Sequence, residues 1–284
     1  MTLYCGQDKI RRCCTLFWTF VRFATVTGNI VVYYQFVDVV SITSTERVPL
    51  FSIFTGLATI GVIIVLFIKF DRPEWNEESS LIERLKDSMK LFMDRGIYKA
   101  IPIFFHKAFH YPFWTMIFST CLANSKNIQP DTDRLIGLHG IICGVGSVTS
   151  GMIFCYFGHH LTKIQHMAIT TILSISVYVS AYLLFPTECS LSEVDTKPDL
   201  NWVLVTSFCS GVLDACVMAN ILTFVVEKYN ASSACSVFSV VHFCSALGAM
   251  IAYLVAETMP FHPQLFFLIG VSIFSSITFL TTGE

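Results

Sequence analysis

The sequence predicts an all-α polytopic membrane protein with about eight transmembrane helices. Hydrophobic residues make up 54% of its 284 residues and charged residues only 13%, about half the charged share of an ordinary soluble domain. The apolar residues fall into runs of about 20, the length that crosses a bilayer as a helix. The runs do not alternate with a period of two, as the strands of a membrane barrel do. Helices therefore satisfy the backbone in lipid.

Two of these runs precede a long charged segment, residues 71–99, and six follow it. The predicted helices are 14–36, 48–70, 100–122, 135–157, 164–185, 201–226, 232–256 and 264–282. The first of them contains a charged residue, Arg22. The division predicts three parts, which are residues 1–70, the charged linker 71–99 and a six-helix bundle at 100–284.

The charged linker contains a predicted helix of its own. Ser80 and Glu83 have the spacing of a capping box. Apolar side chains recur at helical spacing over 81–93, and Gly96 is placed to end the helix. We expect an amphipathic helix on the cytoplasmic surface of the membrane. Its apolar face serves either contact with lipid or binding of a cytosolic partner.

Lysine and arginine are distributed unevenly between the two ends of the predicted helices. Twelve lie on the side of the N-terminus and of the charged linker, and four lie on the other side. The four are Arg47, Lys126, Arg134 and Lys197. Because cytoplasmic loops are enriched in these residues, both termini are predicted to be cytoplasmic. The net charge of −2 gives no basis for a nucleic-acid partner, so the expected partner is the lipid bilayer.

The sequence contains no Ser-His, paired-carboxylate or His-box arrangement that supports an enzyme, and we expect no cofactor. His106 and His110 are four residues apart and share a helix face. That spacing can chelate a metal, but no third ligand is evident, and hydrogen bonds between helices also explain it. Cys121 and Cys189 lie near the outer ends of predicted helices. The sequence does not decide whether they form a disulfide.

Ionisable residues inside predicted membrane helices are functional candidates, because burying charge in lipid is costly. Asp214 lies near the middle of its helix, which predicts a role in substrate contact or in coupling to protons or cations. A neutral or hydrogen-bonded carboxyl is the alternative. Lys107 differs from Asp214 in depth by roughly 8 Å, so it either pairs with Asp214 or extends to the cytoplasmic surface. For Arg22, the default expectation is that its side chain extends to the cytoplasmic surface. Asn220 follows Asp214 by six residues and lies on a largely different helix face.

Several motifs, in the same order and spacing, resemble the Unc-93-like family of the major facilitator superfamily. They are Phe17-Trp18 with Gly28-Asn29 in the fifth helix, Ile101-Pro102 at the start of the seventh, Gly211 to Ala215 in the tenth, and Ser150 to His160 at the loop between the eighth and ninth. The family tends to carry Gln where this chain has Arg22 and Asn220. The resemblance adds Asn29 to the candidates for substrate or ion coupling.

The resemblance implies two six-helix bundles around a cavity at the middle of the membrane. Residues 1–70 would hold the fifth and sixth helices, and 100–284 would be the second bundle. The first four helices would be missing, so we expect a truncated chain or one that borrows helices from a partner. The implied function is transport of an unknown substrate. The family implies equally a non-transporting regulator of ion channels or of receptor trafficking.

Overall fold

A computed structural model describes residues 7–35, 44–67, 86, 89–126, 132–229 and 231–283. The α-helices in these ranges are α1 (Gln7–Gln35), α2 (Ser44–Phe67), α3 (Arg95–Pro112), α4 (Phe118–Ala123), α5 (Thr132–Phe157), α6 (Lys163–Leu184), α7 (Leu200–Lys228), α8 (Ala231–Ala256) and α9 (Phe261–Leu280). A π-helix, Phe113–Ile117, joins α3 to α4. Short 3-10 turns follow α5, α6 and α9.

The helices confirm the predicted all-α membrane fold. All eight predicted membrane helices fall on them. In the described ranges, seven helices are long and apolar enough to cross a membrane. The remaining predicted helix, 100–122, corresponds to α3, the π-helix and α4, which follow one another without a break. The protein is therefore a multi-pass integral membrane protein.

The start of α3 corrects one prediction in the charged linker. Asp94 caps this helix, because its Oδ1 accepts hydrogen bonds from the backbone N–H groups of Gly96 at 2.9 Å and Ile97 at 3.1 Å. Gly96 therefore lies in the first turn of a helix, and the prediction that it ends one was wrong. The glycine fits because the stem of Lys228 lies where a Cβ would point. Ser80, Glu83 and most of 81–93 lie outside the described residues.

Helices α5 and α7 approach each other closely enough for their backbones to touch. A Cβ added at Gly211 would overlap the carbonyl oxygen of Cys143 on α5. A Cβ added at Gly146 would overlap that of Phe208 on α7. Only glycine at these two positions permits this separation.

Helix α1 lies along α5 over four turns of glycine-rich surface. The glycines of α5 that face it are Gly137, Gly140, Gly144 and Gly151, and their neighbours on α1 are Tyr33, Asn29, Val26 and Thr19 respectively. This contact brings the middle of α1 against α7 as well. Helix α2, in contrast, touches mainly α1, and its apolar span has no buried residue.

The two ends of the bundle differ in chemistry. At one end, which we call the lysine face, three lysines from three helices reach the residues just after α9. The bonds are Lys99 Nζ to the Thr281 carbonyl oxygen at 2.5 Å, Lys163 Nζ to Thr282 Oγ1 at 2.6 Å, and Lys228 Nζ to the Thr282 carbonyl oxygen at 3.2 Å. Positive charge at a helix C-terminus satisfies its free carbonyls and its dipole. The opposite end, which we call the loop face, holds residues 124–126 and 185–199.

Candidate functional site

A cavity of about 100 Å³ lies between α1, α3, α5 and α7. Its walls include three of the residues predicted from sequence: Arg22, Asn29 and Asp214. The remaining polar and aromatic wall residues are Thr25, His110, Tyr111, Trp114, Thr115, Ser119, His139, Cys143 and Ser147. The cavity therefore combines one cation, one anion and several hydrogen-bonding groups inside a membrane bundle.

The two charges of the cavity form an ion pair. Arg22 Nη2 lies 2.5 Å from Asp214 Oδ2, and the two side chains are 15% and 7% exposed. Ser147 Oγ donates to the same Oδ2 at 3.3 Å. The other carboxylate oxygen, Oδ1, is buried and accepts no hydrogen bond from the described residues. Within the described residues, Oδ2 of this carboxylate therefore has two partners, whereas Oδ1 has no hydrogen-bond donor.

Arg22 extends towards Asp214, so the default expectation that it reaches the membrane surface was wrong. The physical reason is that an anion within reach compensates the cost of burying the guanidinium. The guanidinium carbon also lies 5.3 Å from the ring centroid of Tyr111, a cation–π contact that stabilises a desolvated cation. Arg22 and Asp214 lie on helices that are far apart in the sequence, and no local sequence pattern predicts that the two residues meet.

Lys107 does not form the ion pair with Asp214 that was one of its two predicted arrangements. Its Nζ lies 5.2 Å from the ring centroid of Trp18 on α1, and it makes no salt bridge to Asp214 within the described part of the chain. Because α3 begins at Arg95, Lys107 lies farther along its helix than the predicted span 100–122 implied. The lysine contributes a second positive charge beside the paired one.

The two asparagine candidates lie in different places. Asn29 lines the cavity, and its Nδ2 donates to the carbonyl oxygen of Thr25 at 2.9 Å. Asn220 is not part of the cavity wall. Its Nδ2 donates to Thr170 Oγ1 on α6 at 2.9 Å and to the carbonyl oxygen of Cys216 at 3.0 Å. Asn220 therefore holds α7 against α6.

The histidines of α3 join that helix to α6. Tyr178 Oη lies 3.3 Å from His106 Nε2 and 2.9 Å from His110 Nδ1. His110 Nε2 faces the carbonyl oxygen of Ser210 at 3.3 Å. A carbonyl only accepts, so Nε2 carries the hydrogen and Nδ1 accepts from its neighbours. Hydrogen bonding between helices, one of the two explanations open at first, accounts for this pair. No group of three potential metal ligands occurs among the described residues.

His139 is a cavity residue that the sequence reasoning missed. Its Nδ1 lies 2.7 Å from Ser207 Oγ on α7, and its Nε2 lies 3.1 Å from the carbonyl oxygen of Trp114 in the π-helix. The π-helix follows Pro112, which has no N–H to donate to the preceding turn, and such irregular turns are frequent at functional sites. The signal was available, because His139 lies inside a predicted membrane helix as Asp214 does.

Comparison with known proteins agrees with this architecture. The family model described as ion channel regulatory protein UNC-93 matches residues 1–280. Two relatives, each named UNC93-like protein MFSD11, come from Xenopus tropicalis and Xenopus laevis. They are 20% and 21% identical over 308 aligned residues, which cover 98% of this chain and 69% of theirs. The chain therefore belongs to the UNC-93 family, whose members are related to the major facilitator superfamily.

Proposed function

We propose that this protein is a major-facilitator-type transporter of a small solute and that the Arg22–Asp214 cavity is its binding site. The observation that carries the proposal is the carboxylate oxygen Oδ1 of Asp214, a buried acceptor without a hydrogen-bond donor among the described residues, in a residue that lines the cavity. An unsatisfied buried carboxylate oxygen is costly. A hydrogen-bond donor on a solute, or a proton, would satisfy it.

The proposal includes an arrangement in the membrane. The lysine face is cytoplasmic, as the distribution of lysine and arginine favours. Helices α1 and α2 are the fifth and sixth helices of one bundle, residues 71–99 are the cytoplasmic linker, and the helices from α3 to α9 form the second bundle. The ion pair then joins the two bundles, because Arg22 lies on α1 and Asp214 on α7.

A bridge between two bundles offers a means of coupling. Transporters of this superfamily rock one bundle against the other around a fixed site. Protonation of Asp214 would remove its charge and weaken its bond to Arg22, which would release α1 from α7. Lys107 and Asn29 lie beside this path on α3 and α1. Asn220 takes part indirectly, since it fixes the position of α7 against α6.

Proton movement in liposomes tests transport for a substrate that is still unidentified. The purified protein is reconstituted into vesicles that contain a pH-sensitive dye, and amino acids, hexoses, dicarboxylates, nucleosides and amines are supplied in turn under a pH gradient. We expect one class to accelerate proton movement with wild type. Asp214→Asn should abolish the acceleration, and the exposed control Glu193→Gln should retain it.

Equal rates with protein-free vesicles for every class would argue against proton-coupled transport. Uptake of radiolabelled members of each class, measured in parallel, distinguishes uncoupled transport from no transport. If Asp214→Asn transports with unchanged rate and unchanged pH dependence, the coupling role of Asp214 is wrong even if transport is real.

Regulation of an ion channel is the second candidate, and the family to which the chain belongs favours it. In this role the cavity binds no solute, and the exposed apolar helices bind channel or receptor subunits. Co-expression with a panel of ion channels, followed by current recording and co-purification, tests it. A changed current together with absent solute uptake would replace the transport proposal.

A further inference from the structure

Two cysteines meet at the loop face although they belong to different helical segments. Cys121 lies in α4, and Cys189 lies in the 3-10 turn that follows α6. Both side chains are fully buried, and their Sγ atoms lie 2.6 Å apart. The 67 residues between them contain the whole of α5 and α6. A bond between these sulfurs would therefore connect two membrane helices that are not neighbours in sequence.

The surrounding chain holds the two segments together without help from the sulfurs. Asn124 Nδ2 donates to the carbonyl oxygen of Cys189 at 2.8 Å. The backbone N–H of Lys126 donates to the carbonyl oxygen of Val194 at 3.1 Å, and the N–H of Val194 donates to that of Asn124 at 2.9 Å. These bonds fix the distance between the two cysteine backbones, so the thiols are brought together by the fold itself.

We propose that Cys121 and Cys189 form a disulfide that ties the end of α4 to the turn after α6. The inference rests on the membrane orientation given under the proposed function, and it does not depend on transport. In that orientation the loop face lies outside the cytoplasm, where disulfides form and persist. The bond would keep these two helix ends together while other helices of the bundle move.

The chemistry is exchange with an oxidised thiol–disulfide oxidoreductase of the secretory pathway. The thiolate of Cys189 attacks the disulfide of the oxidoreductase, which forms a mixed disulfide and releases one donor thiolate. The thiolate of Cys121 then attacks Cys189 Sγ, and the second donor sulfur leaves. Two electrons and two protons pass to the donor, which ends as a dithiol. Because both cysteines are buried in the folded chain, exchange precedes closure of this region.

Thiol counting on the full-length chain from membranes of intact cells tests the proposal. Free thiols are labelled with a maleimide-polyethylene glycol in SDS, before and after reduction. Wild type should gain two labels on reduction. Cys121→Ser and Cys189→Ser should gain none, whereas the matched buried control Cys244→Ser should still gain two. Mass spectrometry of unreduced peptides should find the linked pair.

Full labelling of wild type without reduction would overturn the disulfide. An independent variant then shows whether the orientation is also wrong. Pro130→Asn creates an Asn-x-Thr glycosylation acceptor at a position between α4 and α5 in the sequence. A glycan there with no disulfide would reject the disulfide alone. If the cysteines are free, and a membrane-impermeant maleimide labels the loop face only once the plasma membrane is permeabilised with internal membranes intact, both the disulfide and the orientation are wrong. Neither result bears on the solute-uptake assay.

Discussion

The guanidinium of Arg22 binds the carboxylate of Asp214 and joins α1 to α7 inside the membrane bundle. Both groups are largely shielded from solvent, and each is the charged partner that compensates the other. An uncompensated charge at this depth would be costly, because little water is available to solvate it. The position of α1 against the other helices therefore depends on this ion pair as well as on glycine packing.

Removal of the cation should destabilise the protein strongly. Arg22→Gln leaves the carboxylate of Asp214 buried without its partner, and we expect a loss of about 3 to 5 kcal/mol in the free energy of unfolding. The matched control is Lys126→Gln, because Lys126 pairs with Glu193 at 3.2 Å on the surface, where the side chains are 54% and 62% exposed. That change should cost about 0 to 1 kcal/mol.

Denaturation in mixed micelles measures both variants. The double variant Arg22→Gln with Asp214→Asn should be less destabilised than the sum of the two single variants, since it removes both charges. Equal, small losses for Arg22→Gln and Lys126→Gln would mean that water reaches the buried pair.

The hydroxyl of Tyr178 should be worth about 1 to 3 kcal/mol, because its removal leaves the nitrogens of His106 and His110 without this partner. Tyr178→Phe should lower the thermal midpoint in detergent and loosen α3 from α6. Tyr182→Phe is the control, since the hydroxyl of Tyr182 makes no hydrogen bond with the described residues. Similar midpoints for the two variants would contradict the assigned role of the hydroxyl.

Gly211 should tolerate no side chain. Gly211→Ala places a Cβ against the backbone of Cys143, so α5 and α7 must separate, at a cost of about 1 to 3 kcal/mol. Gly270→Ala on α9 is the control, because nothing lies within 4 Å of the added carbon. At this position alanine lowers the conformational entropy of the unfolded chain. The free energy of unfolding should therefore stay unchanged or rise by about 0.5 to 1 kcal/mol. Thermal unfolding of the two variants compares them directly.

Asp94 should stabilise the start of α3 over a defined pH range. Burial alone would raise the pKa of this carboxyl, but hydrogen bonds from the Tyr229 hydroxyl and from the backbone of Ile97 and Gly96 outweigh it, so its pKa is below the ordinary 3.8. Burial, and then the bond to Asp94, raise the pKa of Tyr229 above its ordinary 10.0. Tyr229 Oη lies 2.7 Å from Asp94 Oδ1.

The sign of the pH dependence follows from these directions. A lowered carboxyl pKa gives stability that is present above pH 3.8 and is lost as the pH falls through the folded value. A raised phenol pKa gives stability that is present below pH 10.0 and is lost as the pH rises through the folded value. Asp94→Ala should cost about 1 kcal/mol as a lost cap, and this difference from wild type should shrink below pH 3.8 and above pH 10.

Asp199→Ala provides the control for that measurement. Asp199 caps α7 through the N–H groups of Asn201 and Trp202, at 2.8 and 3.4 Å. No tyrosine hydroxyl bonds to it within the described residues, so its difference from wild type should not shrink above pH 10. Chemical denaturation at a series of pH values separates the two variants. A parallel decline of both differences at high pH would remove Tyr229 from the explanation.

The helices could be predicted from sequence because lipid imposes length and polarity on each segment separately. Most predicted ends lie within four residues of those observed. The exceptions lie at the lysine face, where α1 begins at Gln7 and α3 at Arg95. Both starts contain charged residues that a search for apolar runs excludes. Asp94 as a cap, rather than hydropathy, sets the first residue of α3.

The candidate site was only partly predictable, because it is built from helices that are far apart in sequence. Asp214 was singled out correctly as a buried charge, but its partner depends on which face of α1 lies against α7. The contact of Lys107 with Trp18 depends on the same packing. Asn220 was predicted to lie on a largely different helix face from Asp214, but the sequence did not show that this face meets α6. His139 could have been predicted, because it is an ionisable residue inside a predicted membrane helix, the criterion by which Asp214 was selected.

Among the described residues, helix α2 packs only lightly, and mainly against α1. Its apolar span has no buried residue, and a Cβ added at Gly56 or Gly61 would meet nothing within 4 Å. Its tilt is therefore governed by the match between its apolar length and the hydrocarbon thickness. A fluorophore at Gly61 would make α2 a gauge of membrane thickness. Its signal should change between short-chain and long-chain lipids, while the bundle of α3 to α9 stays as it is.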